Sequence, residues 1–275
     1  MKIALTGSGG MLGTAIKSVF SGNDLIKFTR DRFDITVLNN VVKQVREAKP
    51  DFLVHAAAFT DVDRCESEPE MAYLINGIGT RNIAIACEEI KCPVIYISTD
   101  YVFDGKKQSP YDEWDTPNPI NEYGLSKLMG ERFLSSLTSR FYIIRTSWLY
   151  GKNGKNFVDT IVRLLSGKDT IEVVHDQTGC PTYTIDLAEK ILEILSKGYG
   201  TYHITNTGAC SWYDLALEIA KIKGFNKEII PVTSERFKRP AARPANSVLG
   251  STMLRLEKID KPRPWEEALK EYLLK

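Results

Sequence analysis

The first thirteen residues constrain this chain more than any other stretch. A short apolar run, Lys2–Thr6, passes directly into Gly7, Gly10 and Gly13, and a helical pattern follows from about Met11 to Phe20. A strand that ends in a glycine turn and re-enters as a helix opens a βαβ unit. That unit commits the chain to a parallel sheet with right-handed crossovers. The next segments keep to the plan. Leu25–Phe28, Phe52–His55, Val94–Ile97 and Phe141–Arg145 read as strands, and Val37–Ala48, Pro69–Ile90 and Glu122–Leu137 read as helices. The runs IALT and VIYI are apolar without alternation, as strands covered on both faces are.

The expected fold class is therefore α/β, a doubly wound parallel sheet of Rossmann type. Beyond Gly151 the pattern loosens. Helices are expected at Asn156–Leu165, Ile185–Leu195, Trp212–Ile222 and Trp265–Leu274, with an arginine- and proline-rich loop at 236–244, RFKRPAARP. Nothing repeats, and no low-complexity linker separates the halves. Residues 1–150 are expected to form the NAD(P)-binding domain, and residues 151–275 mostly a smaller C-terminal substrate-binding lobe.

Composition excludes several classes. Lys+Arg 36 against Asp+Glu 35 leaves a net charge of +1, with no electrostatic footprint for nucleic acid and no polybasic anchor. No stretch approaches the ~18 apolar residues of a membrane span. The start, MKIALTGSGG, lacks the apolar core and cleavage site of a signal peptide. Five cysteines without a CxxC pair, and only three histidines, give no readable zinc site. A soluble, cytoplasmic protein with reduced thiols is expected, without nucleic-acid or membrane partners.

The glycines Gly7, Gly10 and Gly13 suit a nucleotide. The first permits a tight turn, the second lets backbone approach a pyrophosphate, and the third lets the helix pack close to the sheet. The helix N-terminus then offers free N–H groups to the anion. A tight structural turn is the alternative reading. The end of the second strand, Thr29-Arg30-Asp31-Arg32, should reach the adenosine ribose. A carboxylate there suits the 2′-hydroxyl of NADH, and an arginine suits the 2′-phosphate of NADPH. Arg30 and Arg32 favour NADPH, Asp31 keeps NADH open, and a solvated charge cluster is the alternative.

Tyr123 and Lys127 lie four residues apart in NEYGLSK, on one face of a helix start. With twelve tyrosines and 36 basic residues such a pair arises by chance about once or twice. Ser98-Thr99-Asp100 gives it weight, because it ends an apolar strand where open α/β sheets hold ligands. A free tyrosine, with a pKa of ~10, exchanges protons poorly near neutrality. An adjacent ammonium stabilises the phenolate and improves it. Thr99 could then hydrogen-bond a reacting carbonyl.

Taken together, these segments resemble the extended short-chain dehydrogenases/reductases, and within them the family of dTDP-4-dehydrorhamnose reductases. The likeness runs through TGSGGMLG, HAAAFTDVDRCESEP (55–69), STDYVFDG (98–105), NEYGLSK (121–127), RTSWLYG (145–151), KNFV (155–158), DQTGCPT (176–182) and RPANSVLG (243–250). These segments span nearly the whole chain. The resemblance implies NAD(P)H-dependent reduction of a dTDP-4-keto sugar, as monomer or homodimer, with catalytic residues Tyr123, Lys127 and Thr99. It implies that Thr99, Asp100, Trp148, Gln177 and Arg243 meet the substrate. The cofactor would lie along Gly7, Gly10, Met11, Leu12 and Gly13, with Asp34 and Ile35 at the adenine. Ala57, Ala58, Phe59 and Thr60 would follow it, and Ile97, Tyr123 and Lys127 would stand at the nicotinamide end.

Some positions depart from the family's pattern. His55 stands where asparagine is common, Cys180 takes a small-residue position, and Gly250 replaces a polar residue. Members that bind magnesium use glutamates near the first helix. None stands near Thr14, so no metal is expected. Related dehydratases carry an acidic residue where Tyr101 stands, which counts against dehydration. Other sugar-nucleotide reductases or epimerases, and a non-catalytic regulatory subunit of the methionine adenosyltransferase β type, remain as alternatives. Trp148 could equally anchor the core, Arg239 and Arg243 could be solvated, and Asp34 could cap a helix.

Overall fold

The computed structural model describes residues 1–275. Its main sheet has six parallel strands in the order β10-β5-β4-β3-β1-β2. These are β1 (Lys2–Thr6), β2 (Asp24–Phe28), β3 (Phe52–His55), β4 (Val94–Thr99), β5 (Phe141–Thr146) and β10 (Gly200–His203). The chain steps outward from β1 to β2, then returns to β3 on the other side. The reversal between β1 and β3 is the switch point of a doubly wound sheet, where a crevice opens at the strand ends.

Helices α1 (Met11–Val19), α2 (Leu38–Ala48), α3 (Val62–Ser67), α4 (Pro69–Ala72), α5 (Thr80–Glu89) and α6 (Glu122–Leu137) fill the crossovers. The remaining elements are β6 (Leu149–Tyr150), α7 (Phe157–Gly167), β7 (Thr170–Val174), β8 (Thr178–Gly179), β9 (Thr182–Tyr183), α8 (Thr184–Ile194), β11 (Cys210–Ser211), α9 (Trp212–Lys223), β12 (Glu228–Val232), α10 (Thr252–Leu256) and α11 (Trp265–Leu274). No helix is long and apolar enough to cross a membrane.

Successive residues of the central strands feed opposite faces, so each strand is apolar throughout. Ile3, Leu5, Ile95 and Ile97 pack under α1 and α8, whereas Ala4, Val94 and Tyr96 pack under α2, α5 and α6. A third core lies in the second half of the chain, among Val158, Ile161, Leu165, Ile219, Trp265 and Leu269.

Two features differ from the sequence reading. Strands β7 and β12 pair in parallel, and β10 extends the main sheet beside β5, although no strand was expected beyond Gly151. Their segments are short and half polar, so their pairing depends on distant partners. The expected single helix Pro69–Ile90 is interrupted by a π-helical stretch, Tyr73–Gly79. There Gly77 and Gly79 make room for Met129 and Ile35, and a Cβ on either would stand 2.7 Å from those side chains. π-Helical segments of this kind often mark functional sites.

A buried ion pair joins α6 to the sheet. Arg145 donates from Nη2 to Glu131 at 2.7 Å and from Nε at 3.0 Å, and the two side chains are 6% and 5% exposed. Ser98 donates to the same carboxylate at 2.5 Å. His203, held neutral by burial with its pKa lowered to about 3, faces Arg145 through Nε2 at 3.4 Å. Removing one partner strands a buried charge, which typically costs about 3–5 kcal/mol. Glu131→Ala should lower stability to urea by about that much, and the apolar exchange Glu131→Leu/Arg145→Met should lower it by less. A loss below ~1 kcal/mol in the single variant would show that water reaches the pair.

Candidate active site

The crevice at the switch point is a single open cavity of about 1310 Å³, larger than the ~300–1,000 Å³ of an ordinary small-molecule site. Its floor is built from the carboxyl ends of β1, β3, β4 and β5, and its far wall from residues 146–149, 153–155 and Trp212.

At one end lies the glycine loop. Gly7 has φ +69°, and a Cβ there would stand 2.6 Å from the Ala56 carbonyl carbon. A Cβ on Gly13 would stand 2.2 Å from the Gly7 carbonyl oxygen, so helix and loop touch backbone to backbone. Gly10 differs, because its nearest neighbour would be 3.4 Å away and it borders the cavity. Room at Gly10 therefore serves what enters the cavity. Helix α1 has no side-chain N-cap and no acidic residue in its first turn. Its positive end is left for an anion.

A chain of hydrogen bonds holds the opposite lip. The Ala57 amide donates to Thr6 Oγ1 at 3.2 Å, which lies 2.8 Å from His55 Nδ1. His55 Nε2 lies 3.2 Å from Thr80 Oγ1, and that hydroxyl donates to the Asn76 carbonyl at 2.6 Å. Burial lowers the His55 pKa to about 3, and Lys127 adds to the effect, so the ring is neutral and bridges two hydroxyls. In the π-helical stretch, Asn76 also accepts from the Phe59 amide at 2.8 Å and donates to its carbonyl at 3.0 Å. The lip Ala56–Phe59 is thus fixed before any ligand arrives.

The end of the cavity beside β2 is apolar. Phe28 and Phe33 stack at 4.0 Å beside Asp34 and Ile35. Asp34 also accepts from the Thr36 amide at 2.9 Å and hydroxyl at 2.8 Å, so it both faces the cavity and closes a local turn. Arg30 borders the cavity, whereas Arg32 pairs with Asp31 at 3.8 Å in solvent and does not.

At the other end stand Thr99, Asp100, Tyr123 and Lys127. Asn121 caps α6 by accepting from the Gly124 amide, and a Cβ on Gly124 would stand 2.1 Å from the Tyr101 carbonyl oxygen. This close approach brings Tyr123 to the end of β4, near Thr99, whose hydroxyl donates to Asp100 Oδ1 at 2.9 Å. Burial first, and the Asp100 charge second, raise Tyr123 well above the ordinary tyrosine range. Lys127, 2% exposed, holds its ammonium 4.1 Å over the Tyr96 ring. Cys65 and Tyr101 push Tyr123 weakly in the same direction as Asp100 does. A raised phenol stays protonated at neutral pH, the state in which it can give a proton to an alkoxide.

Asp100 is 2% exposed, and burial raises it to about 6, against the hydrogen bond that the Thr99 hydroxyl donates to its Oδ1 at 2.9 Å. Its Oδ2 and the Thr146 hydroxyl are both buried without a hydrogen-bond partner. Buried polar atoms are rarely left unpaired, and both residues border the cavity. A hydroxylated ligand would satisfy them.

Met11, Leu12, Ala57, Ala58, Thr60, Ile97 and Trp148 also border the cavity. Phe59, Gln177 and Arg243 do not. The Phe59 backbone is taken by Asn76, and its ring lies 5.0 Å beneath the Arg64 guanidinium. Arg243 is drawn aside by Asp63, at 2.6 Å, and so it is not solvated either. Gln177 lies in the segment that bridges to residues 245–247, behind the wall. Phe33, Asn76, Thr146 and Trp212 were not anticipated.

Several known proteins are similar to this chain. A family described as RmlD substrate binding domain matches residues 1–275. The spore coat polysaccharide biosynthesis protein SpsK of Bacillus subtilis is 42% identical over 99% of this chain and 96% of its own length. The crystal structure of a dTDP-4-dehydrorhamnose reductase from Clostridium acetobutylicum superposes with a TM-score of 0.97 at 45% identity, covering 99% of this chain and 98% of that one. The enzyme of the same name from Bacillus anthracis, solved in complex with NADP, has a TM-score of 0.97 at 42% identity, covering 100% and 99%.

Two outcomes follow from the site. Burial lowers Lys127 to about 7 against the opposing pull of Glu131, so its ammonium is lost as pH rises through that value. The kcat/KM for the nicotinamide cofactor, which reports the free protein, should fall above pH 7. Lys127→Met should be slow at every pH and lose that limb, and an unchanged limb would assign it to another group. Arg30→Ala should reduce a preference for NADPH over NADH by roughly 10-fold, the scale of one charge-assisted contact, and Arg32→Ala should change it little. Equal kcat/KM ratios in Arg30→Ala and the unsubstituted protein would place Arg30 in solvent.

Proposed function

The chain belongs to the RmlD substrate binding domain family, and from that premise we propose that it reduces the C4 keto group of dTDP-4-dehydro-L-rhamnose to give dTDP-L-rhamnose. NADPH is the cofactor, with NADH possible as a weaker substitute. The observation that carries this reading is the junction of two half-sites in one cavity. An uncapped helix end stands beside Gly10, and the Thr99–Tyr123 pair stands beside a buried carboxylate oxygen in need of a partner.

The residues present fit the cofactor. Gly7, Gly10, Met11, Leu12 and Gly13 would take the pyrophosphate, and Asp34 and Ile35 would border the adenine beside the stacked Phe28 and Phe33. Ala57, Ala58, Thr60 and Ile97 would line its course, with Arg30 at the ribose and Lys127 at the nicotinamide ribose. When bound, NADPH supplies a hydride to the sugar's C4.

The chain's own groups do the rest. Thr99 and Tyr123 hydrogen-bond the C4 oxygen. Tyr123 gives it the phenolic proton as negative charge develops there. Lys127, protonated below about pH 7, stabilises the phenolate left behind. Asp100 Oδ2 accepts from a sugar hydroxyl, and Trp148 supplies an apolar wall that excludes water from the reacting carbon. Ser247, from the C-terminal segment, lies near Asp100, so the substrate-binding part of the chain, mostly residues 151–275, helps to enclose that carboxylate. Arg243 and Gln177 flank this segment and would meet the nucleotide only if the loop moves. We place the enzyme in the cytoplasm, as a monomer or homodimer. Relatives named as reductases, and the intact set of Thr99, Tyr123 and Lys127, favour this over a regulatory subunit without catalysis.

The test is oxidation of NADPH on addition of dTDP-4-dehydro-L-rhamnose, with the product sugar identified. Tyr123→Phe keeps the shape and removes the proton, so kcat should fall about 10²–10⁴-fold while NADPH binding holds. A variant retaining more than about a third of kcat would mean that the proton comes from elsewhere.

A further inference from the structure

Trp148 is one of five non-glycine residues with positive φ, at +47°, and the only one of them bulky and aromatic. A tryptophan does not hold that backbone conformation without support. The support is visible. Its ring stacks on Trp212 with centroids 3.4 Å apart and planes 6° from parallel. Gly179 leaves room for the indole, since a Cβ there would stand 2.5 Å from Trp148 Cε2. Trp212 is itself braced by Phe157, at 4.5 Å.

These supports come from distant parts of the chain and meet through regular structure. β8 and β11 pair antiparallel, Gly179 opposite Cys210 and Thr178 opposite Ser211, which sets Trp212 beside Gly179. Ser211 then starts α9 with a capping box, its hydroxyl accepting from the Asp214 amide at 3.0 Å while Asp214 accepts from the Ser211 amide at 2.9 Å. Trp212 is therefore held at the first position of a capped helix.

We propose that Trp212 is a positioning residue that holds the Trp148 indole as a fixed wall of the sugar pocket, and so sets recognition of the apolar, 6-deoxy end of the substrate. The inference rests on the reading of this cavity as a dTDP-keto-sugar site. Trp212 acts through Trp148. Without it, the Trp148 backbone can leave the left-handed region, and the indole swings out of the wall.

Steady-state kinetics on Trp212→Ala, Trp212→Phe, Trp148→Ala, Gly179→Ala and the double variant Trp148→Ala/Trp212→Ala test this, using dTDP-4-dehydro-L-rhamnose and NADPH. Trp212→Ala should raise the sugar's KM by roughly 3- to 10-fold, the scale of a lost aromatic contact, with the KM for NADPH within about twofold. Trp212→Phe should recover most of the loss. Gly179→Ala, which displaces the indole and leaves Trp212 in place, should imitate Trp212→Ala. The double variant should match Trp148→Ala alone. The near-ultraviolet circular dichroism of the stacked indoles should vanish in both single Trp→Ala variants.

An unchanged sugar KM in Trp212→Ala, beside a raised one in Trp148→Ala, would overturn the proposal. So would a double variant worse than Trp148→Ala, because Trp212 would then touch the sugar itself. If Trp212→Ala fails to fold, Gly179→Ala and Trp212→Phe decide by the same criteria. A protein that binds NADPH but leaves the sugar unreduced would instead refute the assigned reaction, whatever the circular dichroism shows.

Discussion

Two stretches of backbone meet at the switch point with nothing between them. The turn after β1 lies against the end of β3 so closely that a Cβ on Gly7 would collide with Ala56 and Ala57. The first turn of α1 lies just as closely against Gly7. Hydrophobic packing alone would not require this contact, which exists because side chains are absent. It brings the free N–H groups of α1 and the lip 56–59 into one crevice, and every later part of the cavity is placed relative to it. The Thr6–His55–Thr80–Asn76 chain secures the same junction from below. Backbone contact from above and satisfied hydrogen bonds from below make the lip rigid at little cost in ordering.

The second half of the chain is not a separate module laid on a finished one. Helix α8 covers α1, and β10 completes the main sheet, so the second half of the chain also builds the core under the glycine loop. The cavity lies between elements that share hydrogen bonds, as when Ser147 donates to the Cys180 carbonyl at 2.7 Å. Asp100 Oδ2 and the Thr146 hydroxyl are left without partners between these elements, at the cavity itself.

What could be read from the sequence was local. The glycine turn, the apolar strands, the helix start before Tyr123 and the Tyr123–Lys127 spacing each follow from neighbours within a few residues. Strand β10 could not be read that way, since GTYH acquires its meaning only beside β5. Phe33 follows a charged run, and only its stack on Phe28 shows its place at the cavity. Asn76 lay inside an apparently continuous helix, and only the π-helical register turns it toward Phe59. Trp212 read as the start of an amphipathic helix, with no local sign of Trp148 sixty-odd residues earlier. Arg243 was expected at the substrate, but it pairs with Asp63, which lies in the other half of the chain and left no local sign. Lys127 shows the same limit, for its place over Tyr96 depends on β4 rather than on its own helix.

The late arrival of β10 shapes how the molecule is made. A ribosome releases β5 roughly fifty residues before β10, a gap of several seconds at ~5–20 residues per second. Throughout that interval β5 is an exposed sheet edge, and Ile3, Leu5 and Ile16 lack part of the cover that α8 later provides. Such an edge is a template for pairing with another nascent chain. Newly made copies on one messenger are thus most exposed to each other midway through synthesis.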